Sequence, residues 1–163
     1  MLSFRAVSLL LGGLRLGACG AGSSPEAPGE PFTEVDSHVL LHTAYSGFTE
    51  ATRFVVRDSA HWAGVWATAF ARQTPVPPLP AVSFANEMVV VAALGARPSG
   101  GYDIGIEGVA PEGDGAAVHV VTTAPGDDCI TTAAITEPVV ILRMAAVGGT
   151  VRFPERAETR SCR

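Results

Sequence analysis

The sequence predicts a mainly β domain: an antiparallel β-sandwich or barrel with one amphipathic helix packed at its side. Three observations carry that expectation. Short stretches rich in β-branched and aromatic residues recur along the chain. Gly and Pro, at 18 and 12 of 163 residues, punctuate them with turns. Only one segment repeats its apolar residues at helical spacing. About seven short strands separated by turns fit two packed sheets, of which the immunoglobulin-like sandwich is one form.

The elements follow in order. Residues 37–45 alternate, with Val39, Leu41 and Thr43 on one face and His38, Leu40 and His42 on the other. After Ser46-Gly47, residues 52–57 (Thr-Arg-Phe-Val-Val-Arg) read as a second strand. Asp58 suits a helix N-cap, because its carboxylate can accept the free amide hydrogens of a first turn. Trp62, Val65, Trp66, Ala69 and Phe70 then recur at three- and four-residue steps, one face of a helix. Pro75, Pro77, Pro78 and Pro80 end it in an extended linker. Residues 88–94 are continuously apolar, as in a strand buried on both faces. Residues 102–109 alternate, Pro111 to Gly115 reads as a hairpin turn, and residues 116–123 and 139–144 supply two more strands. Gly148-Gly149 ahead of residues 150–153 reads as a further hairpin.

Composition narrows the function. The chain has eleven basic residues, all arginine, against sixteen acidic ones, for a net charge of −5. Clustered positive charge is what binds phosphate backbones, so no nucleic-acid partner is expected. Hydrophobic content of 47% with 17% charged residues excludes a disordered chain. One domain is expected, without internal repeats.

The N-terminus carries an address. Arg5 forms a short positive region, residues 6–14 an apolar stretch, and Leu16-Gly17-Ala18-Cys19 resembles the lipobox of bacterial lipoproteins, with Arg15 as its departure. The resemblance implies a signal peptide over 1–18, lipidation of Cys19, a linker of Gly, Ser, Pro and Glu over 19–36, and a β domain over 37–163. It places the protein in the bacterial cell envelope, at the outer membrane or periplasmic face, held to the membrane by its lipid. With Cys19 lipidated, Cys129 and Cys162 remain as an even pair in an oxidising compartment, and a disulfide between them is expected.

Catalytic signals are sparse. His38 and His42 sit four apart beside Asp36, but on a strand that spacing is roughly 13 Å, too long to share one ion. His61 and His119 read as helix-surface and strand-edge residues. No Gly-x-Ser-x-Gly elbow is present, and Cys129 has no histidine partner in the linear pattern. Residues 95–101 hold glycines but no phosphate-binding lysine. Asp127-Asp128 could ligate calcium, but a lone acidic pair before a cysteine is usually a turn. No catalytic residue, metal site or cofactor is therefore expected. The alternative is a small envelope hydrolase or metal-dependent enzyme, which requires the histidines to converge in space with Asp127, Asp128 or Cys129.

Between Phe84 and Pro138 the pattern becomes specific. Met88-Val-Val-Val-Ala-Ala-Leu-Gly-Ala-Arg-Pro-Ser-Gly-Gly-Tyr102 precedes an alternating strand, followed by Pro125-Gly-Asp-Asp-Cys129 and Thr136-Glu-Pro138. This succession resembles the C-terminal domain of the PrcB family, named for a subunit of a bacterial surface protease complex. The Trp62-x-x-x-Trp66 helix is similar to the segment that precedes it, so the likeness extends over about 45–162. Ser99 and Ala133 depart from the threonine and the glutamine that the family pattern carries there. The resemblance implies an accessory or binding role, with another protein, such as an envelope or extracellular protease, as partner.

One loop is also similar to a recognition loop of the chagasin-like cysteine-protease inhibitors, which are immunoglobulin-like sandwiches. A Pro-and-Gly loop ending in an aromatic is suited to plugging a groove, because little entropy is lost on binding. The candidate binding surface is therefore Arg97, Pro98, Ser99, Gly100, Gly101 and Tyr102, with Asp127 and Asp128 nearby. The competing reading assigns Gly100-Gly101 to a strand corner with positive φ and Tyr102 to the core.

Overall fold

The computed structural model describes residues 35–163. The signal segment, Cys19 and all of the linker but its last two residues lie outside the described residues. The elements are β1(Ser37–Thr43), β2(Ala51–Val56), α1(Ser59–Ala69), β3(Glu87–Leu94), β4(Asp103–Glu112), β5(Gly115–Pro125), β6(Val139–Ala145), β7(Val151–Arg152) and β8(Glu155–Arg160). One sheet runs β1-β6-β3-β2, every pair antiparallel. The second is the β4–β5 hairpin extended by β7 and β8, both parallel to β5. The architecture is a two-sheet sandwich without barrel closure.

The unbroken apolar run of β3 follows from its place in the middle of three layers. Met88, Val90, Ala92 and Leu94 join the core between the sheets, with Ile104, Val118, Val120 and Leu142. Val89, Val91 and Ala93 face the other way, into a second core with Ile141 and α1. Each fully buried Val or Ile side chain contributes about 1.5–3 kcal/mol, so both layers are anchored mainly through β3 and β6.

Helix α1 begins as its cap predicts: the Asp58 carboxylate accepts the His61 amide at 2.8 Å. Trp62, Val65, Trp66 and Ala69 are buried against the first sheet. The Pro-rich segment after the helix folds back over it. The indole N–H of Trp62 donates to the Pro80 carbonyl at 2.9 Å, and that of Trp66 to Pro77 at 3.0 Å. Both buried donors are satisfied, and the two tryptophans are packing residues.

Three expectations need correction. Residues 37–43 do not alternate simply, because a bulge between Val39 and Leu41 inserts Leu40 into the ladder with β6. Val39 and His42 pair with Leu142 and Val140, which face the inter-sheet core, whereas Leu41 pairs with Ile141 on the opposite face. His38 and His42 therefore lie on opposite faces. Secondly, residues 150–153 form no hairpin: β7 leaves the first sheet and pairs in parallel with Ala116 and Ala117. Thirdly, the second sheet is mixed, because β8, whose Glu-Arg-Ala-Glu-Thr-Arg has no apolar alternation, adds a parallel edge strand.

Each open side of the sandwich is clipped. On one, His42 Nε2 lies 2.7 Å from the Asp103 carboxylate. On the other, Arg53 Nε meets Glu155 at 2.8 Å.

Candidate functional site: a braced loop surface

Two loops meet at the β5 end of the sandwich. The first, residues 95–102, leaves β3; the second, residues 126–138, joins β5 to β6. They are stitched by backbone: Arg97 N–H donates to Thr136 O at 2.8 Å, and Thr136 N–H returns to Arg97 O at 3.1 Å. Gly100 N–H donates to Thr132 O at 3.0 Å, and the Thr136 hydroxyl donates to Ser99 O at 2.9 Å. Ser99 turns its own hydroxyl to the Gly100 carbonyl at 3.1 Å. These bonds tie residues 97–100 to Thr132 and Thr136 rather than to Asp127 or Asp128, and of the neighbouring turn it is Pro125 that comes against Gly101.

Local chemistry explains the sequence of the first loop. Gly101 has φ +87°, and a Cβ there would stand 3.0 Å from Pro125 Cβ, so glycine satisfies both backbone and space. Tyr102 is half-buried against the inter-sheet core. Arg97 holds its guanidinium 5.9 Å from the centre of the Tyr102 ring and donates from Nη2 to Leu94 O at 2.8 Å. Its Nε is buried without a hydrogen-bond partner among the described residues. Pro98 is exposed.

The second loop is closed by the disulfide Cys129–Cys162, with Cα atoms 5.1 Å apart. Asp128 reinforces it. Its carboxylate accepts the Ser161 hydroxyl at 2.8 Å and the Cys162 amide at 2.9 Å. These hydrogen bonds, that of Ser161 first, hold its carboxyl below the ordinary 3.8. Asp128 is thus occupied in fastening the C-terminus, while Asp127 stands exposed on the turn.

Two hollows flank the Gly101–Tyr102 corner. One, about 160 Å³, is bounded by Leu94, Arg97, Tyr102, Thr122 and Ala157. The other, about 240 Å³, lies between Gly100, Pro125, Ile130, Thr132 and Arg160. On the rim Ile130 is fully exposed, and Ile135 is 67% exposed. Two large apolar side chains held in water on a braced loop are the informative surface feature here.

The support beneath this loop joins residues distant in sequence and has no local signature. Glu137 is buried, its side chain 4% exposed, and Arg72 grips it with Nε at 2.8 Å and Nη2 at 2.5 Å. Ser46 donates its hydroxyl to the Glu137 carbonyl at 2.7 Å. Arg72 and Glu137 lie 65 residues apart, and only the Thr-Glu-Pro motif hinted at a special glutamate.

The histidines go elsewhere. His38 lies 3.9 Å from the exposed Asp36, His42 meets Asp103, His61 stacks on Phe54 with centroids 5.6 Å apart, and His119 lines a separate hollow with Glu107 and Arg156. Cys129 is held in the disulfide. Among the described residues no three of His, Cys, Asp and Glu gather as a metal site.

The hairpin and the loop between β5 and β6 are the decisive segment. Residues 88–145 match the PrcB C-terminal family. This match runs from Met88 of β3 to Ala145 of β6 and so takes in both loops described above. No curated protein and no solved structure matches the chain.

Proposed function

We propose that this PrcB C-terminal domain is a non-catalytic protein-binding module of the bacterial envelope, held by a lipid on Cys19 and serving a protease as accessory subunit or inhibitor. The family ties the module to a protease-complex subunit. The observation that carries the binding role is the pair of exposed isoleucines, Ile130 and Ile135, on a loop braced by a disulfide and by the Arg97–Thr136 bridge. A surface already rigid loses little entropy on association, and exposed apolar side chains next to hollows make anchor points. The module would dock the loop onto its partner as a rigid body.

The test is capture from detergent extracts with wild type and with Ile130→Ser/Ile135→Ser, which removes contact area without touching the core. Loss of the captured partner with an unchanged melting curve supports the reading; an identical partner list refutes it. Anchoring is tested separately. Cys19→Ser moves the protein from the membrane to the soluble fraction, and retention in the membrane would overturn the lipid assignment.

A further inference from the structure

Strand β8 is the least anchored element of the sandwich. All 6 of its residues are exposed, and none belongs to either core. A parallel ladder to β5, from Val120↔Glu155 to Pro125↔Arg160, holds it. Its other attachments are the ion pairs Glu155–Arg53 and Arg156–Glu107, the Gly126 amide on the Arg160 carbonyl, and, beyond its end, the Asp128 hydrogen bonds and the Cys129–Cys162 bond. The Arg156–Glu107 pair is exposed and contributes little, whereas Arg53 is largely buried and requires an acidic partner in place of Glu155 whenever β8 leaves. A strand with no apolar face gains little beyond its ladder.

The register adds a second observation. Ala157 opposes Thr122, and beside it opens the 160 Å³ hollow bounded by Leu94 and Tyr102. The resident strand lines this hollow with the Ala157 methyl group and with Glu158, so the position of Ala157 leaves room for a larger apolar side chain.

We propose that the β5 edge from Val120 to Pro125 is an acceptor site for an extended segment of a protein partner, which displaces β8 and seats a large apolar side chain in the hollow beside Ala157. Charge on the neighbouring elements defines the rest of the segment. An acidic residue opposite Val120 meets Arg53, as Glu155 does, and a basic residue opposite Val121 meets Glu107, as Arg156 does. The incoming sequence is therefore acidic, basic, large apolar, running parallel to β5. Main-chain bonds supply affinity, and the alternating side chains supply selectivity. The disulfide tethers β8 beyond its end and stays intact while the ladder exchanges, and ahead of β8 the chain is held by β7 pairing with Ala116 and Ala117 of β5. Only the source of the segment rests on the reading of the domain as a protein-binding module.

The probe is a fluorescent synthetic peptide of residues 153–161 carrying Ala157→Phe, titrated into the full chain with Cys129→Ser/Cys162→Ser. The expected result is saturable binding, about tenfold or more tighter than the same peptide with alanine, given the apolar area the ring buries. Arg156→Glu in the peptide should weaken it, and the disulfide-intact protein should bind it at least about tenfold less tightly. Absence of saturable binding, or equal binding of the Phe and Ala peptides, overturns the proposal. A strand-swapped dimer formed in place of peptide capture overturns the assignment to a foreign segment. Should the double variant not fold, amide exchange on the intact protein decides: β8 should exchange about a hundredfold faster than β3, and equal protection overturns the proposal. Failure here alongside isoleucine-dependent partner capture would leave the protein-binding reading standing.

Discussion

Replacing Arg72 by alanine should destabilise the domain by more than any other single surface truncation near the loops. The Glu137 side chain is 4% exposed, and its carboxylate receives two hydrogen bonds from Arg72. Removing one partner of a buried ion pair leaves an uncompensated charge, which costs about 3–5 kcal/mol. Arg72 is itself 59% exposed, so water can reach the vacated side, and the lower end, about 3 kcal/mol, applies. For a domain of this size that corresponds to a fall in Tm of about 11 °C. The diagnostic is the second substitution. Glu137→Gln in the Arg72→Ala background removes the stranded charge and should restore about 1–2 kcal/mol. Urea unfolding followed by fluorescence of Trp62 and Trp66, which report on the adjacent helix layer, measures all three variants. A loss below about 1 kcal/mol for Arg72→Ala, or further loss on adding Glu137→Gln, would refute the account.

Other expectations follow from the same geometry. Replacing both Cys129 and Cys162 by serine opens a loop of sequence separation 33; by loop entropy this costs about 3.7 kcal/mol, read as a lower urea midpoint. Gly101→Ala forces a Cβ into positive φ against Pro125 and should cost about 1–2 kcal/mol, whereas Gly64→Ala, with open space around its Cβ, should be neutral or stabilising. Asp128 has its folded pKa lowered, so its contribution is present above the unfolded carboxylate value and is lost as pH falls through the folded one. The Cys162 amide resonance should therefore shift on acidification below pH about 4, and Asp128→Asn should abolish that shift.

Local pattern carried much of the fold. Helix α1 was legible because Trp62, Val65, Trp66 and Ala69 keep one period and Asp58 marks its start. Strand β3 was legible because seven successive apolar residues admit few other placements. The disulfide followed from parity once Cys19 was assigned elsewhere. What escaped has a common cause: it depends on partners distant in sequence. The bulge at Leu40 is decided by pairing with β6, about a hundred residues away, and it moves His42 to the face that reaches Asp103. Strand β8 has no apolar period and exists because β5 offers an edge. The same holds at the site. The glycine at 101 could be read, but the bonding of 97–100 to Thr132 and Thr136, the Arg72–Glu137 support and the exposure of Ile130 and Ile135 could not. Isoleucine in water contradicts the usual inference from hydrophobicity.

The two-sided burial of β3 gives the strand a parity code. Lesions at Met88, Val90 or Ala92 damage the seam between the sheets, which the loop surface shares through Leu94 and Tyr102. Lesions at Val89, Val91 or Ala93 damage the layer under the helix instead. A scan along seven consecutive positions should thus alternate between two phenotypes, one registered at the loops and one at the tryptophans. Neighbours in sequence would behave as if they belonged to different proteins, and residues two apart as if they were neighbours.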